Sequence, residues 1–185
     1  MYSQGVKQLL TSHSRAYVMG LSMSLALLCG AWIFQYGFGY PPCQMCYWQR
    51  HAHKVVIGLS LFAIVSMALA PSLHRVKISY IWGVLIALAL IGSAIVAFWH
   101  MGVEYKWWEG PKGCVAGAFN ASSFSGTDLL GSLDQKIKPP SCDKALWHFL
   151  GLSMAAWNGI LSSLTALAVI GLTFKKPKQS LESTA

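Results

Sequence analysis

Apolar residues along this chain fall into four long blocks separated by polar stretches. The first, Tyr17 to Tyr36, runs for twenty residues without a charge, and a helix of that length covers roughly 30 Å, the hydrocarbon thickness of a bilayer. A second block extends from about Tyr47 to Ala70 and stops at Pro71. Only Val55 to Ala70 is uninterruptedly apolar there, so Arg50, His51, His53 and Lys54 in its first turns must reach the interface or face protein. The third runs from Ile78 to about Trp99 and the fourth from about Met154 to Phe174. The pattern predicts an all-α membrane protein of one domain over 1–185, a four-helix bundle with spans at about 17–36, 47–70, 78–99 and 154–174. Its outer loops are expected at 37–46 and 100–153. A cleaved signal peptide competes for the first block, but the apolar stretch is longer than a signal core and no small-x-small site precedes a soluble domain. A lipoprotein signal ending at Cys29 has Leu28 where a small residue belongs, so a retained helix is expected.

Composition agrees. Hydrophobic residues make up 55% of the 185 and charged residues only 11%, far below the quarter or so of soluble domains. The net charge of +8 would suggest nucleic acid in a soluble protein, yet the basic residues lie in short stretches between apolar blocks. That distribution sets membrane orientation instead. Lys7 and Arg15, then Arg75 and Lys77, then Lys175, Lys176 and Lys178 belong on one side, while five lysines and five acids cancel across 100–153. Both termini and the Pro71 turn are therefore expected in the cytoplasm, and the loops at 37–46 and 100–153 on the outside, where disulfides persist.

The chemistry lies in those outer loops. Cys43 and Cys46 form a CxxC at the start of the second block, and Cys114 and Cys142 lie in the long loop. Cys29 sits mid-span and reads as a small buried hydrophobe. Four outward cysteines allow three pairings, of which proximity favours Cys43 with Cys46 and Cys114 with Cys142. Structural staples remain an alternative for the second pair. No metal site is expected, because C-x2-C and C-x27-C lack a second tight ligand pair, and c-type haem attachment is excluded by Tyr47 after Cys46. A reactive pair is favoured by the local chemistry: Pro41 and Pro42 fix an extended entry, so a helix starting near Cys43 sets the Cys46 sulfur against free backbone N–H groups and the positive end of the dipole. Arg50, four residues on, lies on the same helical face and would support a thiolate or a bound anion. Antiparallel second and third spans would set His100 level with Arg50, so donors from two helices could clasp one polar ligand at the boundary.

These residues together resemble the disulfide bond formation protein B (DsbB) family of bacterial inner-membrane thiol oxidases. The resemblance runs through PCxxC with Arg50 four residues later, His100 ending the third span, Gly102-Val103-Glu104 to Trp107-Trp108-Glu109-Gly110-Pro111 before Cys114, and Leu150-Gly151-Leu152-Ser153-Met154-Ala155-Ala156-Trp157-Asn158 opening the fourth. It implies a multi-pass protein that reoxidises a periplasmic DsbA-type dithiol oxidase and passes two electrons to a membrane quinone, ubiquinone or menaquinone. Cys43 and Cys46 would be the quinone-proximal pair, Cys46 the thiolate at the quinone, with Arg50 supporting it and His100 nearby. Cys114 and Cys142 would be the loop pair, Cys114 forming the mixed disulfide with the partner. Some members carry an acidic residue where this chain has Gln49, which removes a countercharge to Arg50. In the loop, Leu129, Leu130, Leu133 and Ile137 repeat at helical spacing, so a short amphipathic helix is expected on the membrane surface, with Trp107 and Trp108 as interface anchors. Two other classes are a haem electron carrier using His51, His53, His100 and His148, and a membrane scaffold with stapled loops.

Overall fold

The computed structural model describes residues 4–69, 71, 74–111, 114 and 141–175. Four helices, α1 (Gln4–Trp32), α2 (Gln44–Leu69), α3 (Arg75–Glu104) and α4 (Met154–Thr173), are each long and apolar enough to cross a membrane. The first three outrun their apolar blocks. An apolar block marks what can sit in lipid, whereas a helix continues for as long as its side chains find partners. α3 therefore passes the expected end near Trp99 and carries His100 and Glu104 inside the helix. The amphipathic helix expected between Cys114 and Cys142 lies outside the described residues.

Two local devices aim the helix ends nearest the cysteines. At the first, α1 widens into a π turn over Ile33–Gly37, and the chain then enters α2 through Pro41 and Pro42, which cannot donate to a continuing helix. At the second, β1 (His148–Phe149) pairs antiparallel with β2 (Leu152–Ser153) across Leu150 and Gly151, both at positive φ as a type I′ turn requires. This hairpin is a small addition to the all-α expectation. It presents Ser153 as the N-cap of α4, its Oγ accepting from the Ala156 N–H at 3.2 Å. Tyr105 OH donates to Gly151 O and Trp157 Nε1 to Phe149 O, which ties the hairpin to the end of α3 and the start of α4.

Packing follows the logic of a bilayer. Val18, Leu25, Phe62, Ile81, Ile95 and Leu167 face outward, as lipid-facing residues should. Cys29 is exposed with them, which corrects its assignment to the interior. Lipid removes the hydrophobic drive between helices, so association rests on close packing of small residues and on interhelical hydrogen bonds. At the bundle end near Pro71, His13 meets Ser79 Oγ at 2.5 Å and Thr173 O at 2.7 Å, and Tyr17 OH donates to Ser79 O. Ser12 Oγ takes the neighbouring Leu172 carbonyl, so orphan acceptors at the end of α4 are satisfied by α1.

The α3–α4 contact is tightest at Gly83, where an added Cβ would lie 2.5 Å from Thr173 Oγ1 and 2.6 Å from its Cγ2. Gly83→Ala should destabilise the bundle by about 1–3 kcal/mol, read as earlier thermal unfolding in detergent micelles. Gly92→Ala, which meets nothing within 4 Å, should not. Equal midpoints for the two variants would contradict this packing.

Candidate functional site

The sulfur chemistry starts from a helix cap. Cys43 stands just before α2, and its Sγ accepts from the Cys46 backbone N–H at 3.2 Å, filling an orphan donor of the first turn. It is thus the Cys43 sulfur, rather than that of Cys46, that takes up a free N–H of the helix start. The two Sγ atoms are 2.9 Å apart and both cysteines are free thiols. The Cys43 thiol is pushed up, first by its hydrogen bond with Cys46 and then by burial, which leaves it the protonated member of the pair.

The second pair is joined. Cys114 and Cys142 form a disulfide, and the Cys142 N–H donates to Cys114 O at 2.6 Å. They are only 4% and 1% exposed and pack with Cys43, Met45 and Val103 in one buried cluster, edged by Cys46 and Trp48. The long-loop pair is therefore seated on the CxxC. Gly102 helps to hold this corner, because Trp108 folds back over it and donates Nε1–H to Trp99 O; a Cβ at 102 would collide with that ring.

A buried hydrogen-bond chain runs from these sulfurs into the bundle. His100 Nε2 lies 3.5 Å from Cys43 Sγ, and its Nδ1 is 2.8 Å from Gln49 Nε2. Gln49 Oε1 accepts from Asn158 Nδ2 at 2.7 Å, and Asn158 Oδ1 lies 2.8 Å from His53 Nε2. The chain ends where His53 Nδ1 meets Ser24 Oγ at 3.3 Å, so it touches all four helices. His100 also sits 3.7 Å from Glu104 Oε1, one turn on.

Arg50 points away from this chain. Its guanidinium donates to Gln35 Oε1 in the π turn and, at 3.0 Å, to Ala31 O, and it lies over the Tyr47 ring. Next to it opens a cavity of about 220 Å³, whose mainly apolar lining includes Leu27, Phe34, Pro42 and Trp157. Its polar groups are few: Tyr40, Cys46, Gln49, Arg50, His53 and Asn158. A concave apolar site with a handful of convergent polar groups suits a flat, weakly polar ligand. A second cavity of about 60 Å³ lies on the other side of Cys46 and Gln49, lined also by Cys43, His100, Glu104 and Lys144.

The structure thus brings Cys43, Cys46, Cys114, Cys142 and His100 together and places Arg50 with Cys46 on the larger cavity. His100 lines the smaller cavity and backs the cysteines, while Arg50 lines the larger one. Gln35, Glu104 and Asn158 join the site without having been singled out as candidates, and His53 joins it in a role other than that of a haem ligand. Signals for three of them existed: His53 is seven residues from Cys46 on the same face, Glu104 is four from His100, and Asn158 is a polar residue inside an apolar block. The four histidines of the haem reading do not converge among the described residues; His51 and His148 are exposed, while His53 and His100 belong to the chain.

The family model for disulfide bond formation protein DsbB matches residues 13–172. The chain belongs to the DsbB family. It is 30% identical to disulfide bond formation protein B of Aromatoleum aromaticum, over 88% of this chain and 94% of that one. It is 28% identical to the protein of the same name from Pasteurella multocida, over 92% and 93%. An uncharacterised protein of Rickettsia prowazekii is 26% identical over 86% and 87%. No solved structure matches. With four helices able to span, this DsbB-family chain is a multi-pass membrane protein.

Asn158 is the link whose removal isolates most. Asn158→Leu leaves Gln49 Oε1 and His53 Nε2 without these partners away from water, a cost of about 1–3 kcal/mol. The expected result is a lower unfolding midpoint in detergent, partly restored by adding Gln49→Leu. Wild-type stability of Asn158→Leu alone would show that the chain contributes nothing.

Proposed function

We propose that this protein is a thiol:quinone oxidoreductase of the bacterial inner membrane, with both termini cytoplasmic, which reoxidises a periplasmic DsbA-type dithiol oxidase. The observation that carries the reading is the position of Cys46, clustered with the Cys114–Cys142 disulfide on one side and lining the 220 Å³ cavity beside Arg50 on the other. The cavity fits a quinone: an apolar lining for the ring and its tail, and a guanidinium and a sulfur at one wall. When bound, a quinone accepts two electrons and two protons.

The chain's own residues then divide the work. A partner thiolate attacks Cys114, breaking the Cys114–Cys142 bond and forming a mixed disulfide; the partner's second thiol resolves it, leaving two enzyme thiols. Because both sulfurs are buried, this attack requires Cys114 and Cys142 to move away from Met45 and Val103. The Cys114 and Cys142 thiols are reoxidised by a Cys43–Cys46 disulfide, which becomes the dithiol seen here. Cys46 is the sulfur that faces the cavity, and Arg50, fixed by Gln35 and Ala31, holds a positive charge there. Cys43, capped and buried, keeps its proton until the disulfide re-forms.

The test is quinone reduction by purified protein, with ubiquinone and menaquinone analogues and a reduced DsbA-type donor. Cys46→Ser should abolish turnover, and Arg50→Gln should raise the KM for quinone roughly 10- to 100-fold, the worth of a charge-assisted hydrogen bond. A flat trace with both analogues in the wild type, or undiminished turnover in Cys46→Ser, would overturn the assignment.

A further inference from the structure

The smaller cavity has a donor set that thiol exchange does not require. Its walls bring together two cysteine sulfurs, one imidazole nitrogen and one carboxylate, from Cys43, Cys46, His100 and Glu104. We propose that, when Cys43 and Cys46 are reduced, these four residues bind one Zn²⁺ ion through both Sγ atoms, His100 Nε2 and a Glu104 carboxylate oxygen.

Geometry is the first argument. Zinc bonds of about 2.3 Å to sulfur and 2.0–2.2 Å to nitrogen and oxygen give tetrahedral edges of about 3.6 Å for sulfur to nitrogen and about 3.4 Å for nitrogen to oxygen. Cys43 Sγ to His100 Nε2 is 3.5 Å and His100 Nε2 to Glu104 Oε1 is 3.7 Å. The two sulfurs, 2.9 Å apart, must open to about 3.8 Å, which a small rotation of the Cys46 side chain supplies. Cys43, Cys46 and His100 already present their ligand atoms within 4.8 Å of one another, and the Glu104 carboxylate, outside that group, must swing toward the sulfurs to complete the site. A space of about 60 Å³ admits an ion with little besides, and it lies apart from the larger cavity across the Cys46 and Gln49 wall.

The second argument is an unmet demand. The Glu104 side chain is 7% exposed, and its Oε2 has no hydrogen-bond partner among the described residues. Ser153 hydrogen-bonds this carboxylate but leaves Oε2 unpartnered, and a cation that both carboxylate oxygens approach would satisfy it. His100 and Glu104 also sit one helical turn apart on α3. They are the second tight ligand pair that the cysteine spacing lacked, and it comes from a different helix.

The surroundings complete the site. A zinc-bound imidazole coordinates through one nitrogen and donates from the other, so coordination by Nε2 needs an acceptor at Nδ1. Gln49 supplies it if its amide turns, and every further link can reverse with it: Gln49 Nε2–H to Asn158 Oδ1, Asn158 Nδ2–H to His53 Nε2, His53 Nδ1–H to Ser24 Oγ. Binding is confined to the dithiol state. Two thiols release two protons as two zinc–thiolate bonds form, with no electron transferred, whereas the Cys43–Cys46 disulfide offers no thiolate. A zinc-held dithiol cannot close to the disulfide, so the ion would arrest the pair in its reduced form.

The test titrates Co²⁺, then Zn²⁺ in competition, into tag-free protein in detergent, reduced with a phosphine. One equivalent of Co²⁺ should give thiolate-to-cobalt charge transfer and the intense d–d bands of a tetrahedral ion, displaced by Zn²⁺ and absent from the oxidised protein. Glu104→Gln, which keeps the side-chain volume, should weaken Zn²⁺ at least about tenfold, and Cys43→Ser should abolish the thiolate band. Binding unchanged in Glu104→Gln, a thiolate band that survives Cys43→Ser, or an octahedral spectrum without thiolate would each overturn the site.

Discussion

A bilayer offers no water to a buried polar group, and the cysteine-bearing half of this bundle is arranged around that constraint. Gln49, His53, His100 and Asn158 carry eight nitrogen or oxygen side-chain atoms into the space between helices, and the structure resolves them by linking the residues end to end. Because the chain touches α1, α2, α3 and α4, it fixes their relative heights and rotations as well as satisfying its members. The cysteine pair is set at one end of it, through His100, and inherits that rigidity. A glutamate at 49 could accept from Asn158, but when ionised it could not donate to His100 Nδ1. The glutamine used here passes the chain on in both directions.

The same residues build a partition. Cys46 and Gln49 stand between a large apolar cavity, with Arg50 at its wall, and a small polar one containing His100 and Glu104. An apolar ligand and a small hydrophilic species can therefore approach opposite faces of one sulfur without competing for space. This explains why Arg50 is tied to Gln35 and Ala31 on the π turn instead of to the thiols. Held there, its charge is directed at the larger cavity, while the smaller one is lined by thiol, imidazole and carboxylate groups together with Lys144.

Much of this was legible in the chain. Four apolar blocks gave four helices, because block length against bilayer thickness is a strong signal, and PCxxC gave a helix that begins at Gln44. Helix ends were less legible: α3 runs through Glu104 because His100, Gly102 and Val103 are buried by protein, which hydropathy does not register. Cys29 was misplaced for a related reason, since an apolar span looks alike on its lipid and protein faces. The cysteine spacing singles out Cys43 and Cys46, and the structure sets their sulfurs side by side at the start of α2. It could not show that His100 would turn toward Cys43 while Arg50 turned toward Gln35, because one residue of helical phase, about 100°, separates Gln49 from Arg50 and sends them to different partners.

The order of the sulfurs follows from what each one touches. Cys43 caps α2, contacts His100, lines only the smaller cavity and is held protonated, so each of its contacts favours staying in place. Cys114 and Cys142 sit against Met45 and Val103, away from Arg50, and line neither cavity. Among the described residues, Cys46 alone borders both cavities and the cluster that contains the second pair. In the proposed relay, transfer between the Cys114–Cys142 pair and a ligand beside Arg50 would converge on Cys46, whatever the acceptor or partner. The CxxC works here as an asymmetric pair, one sulfur built into the helix and one left at the partition.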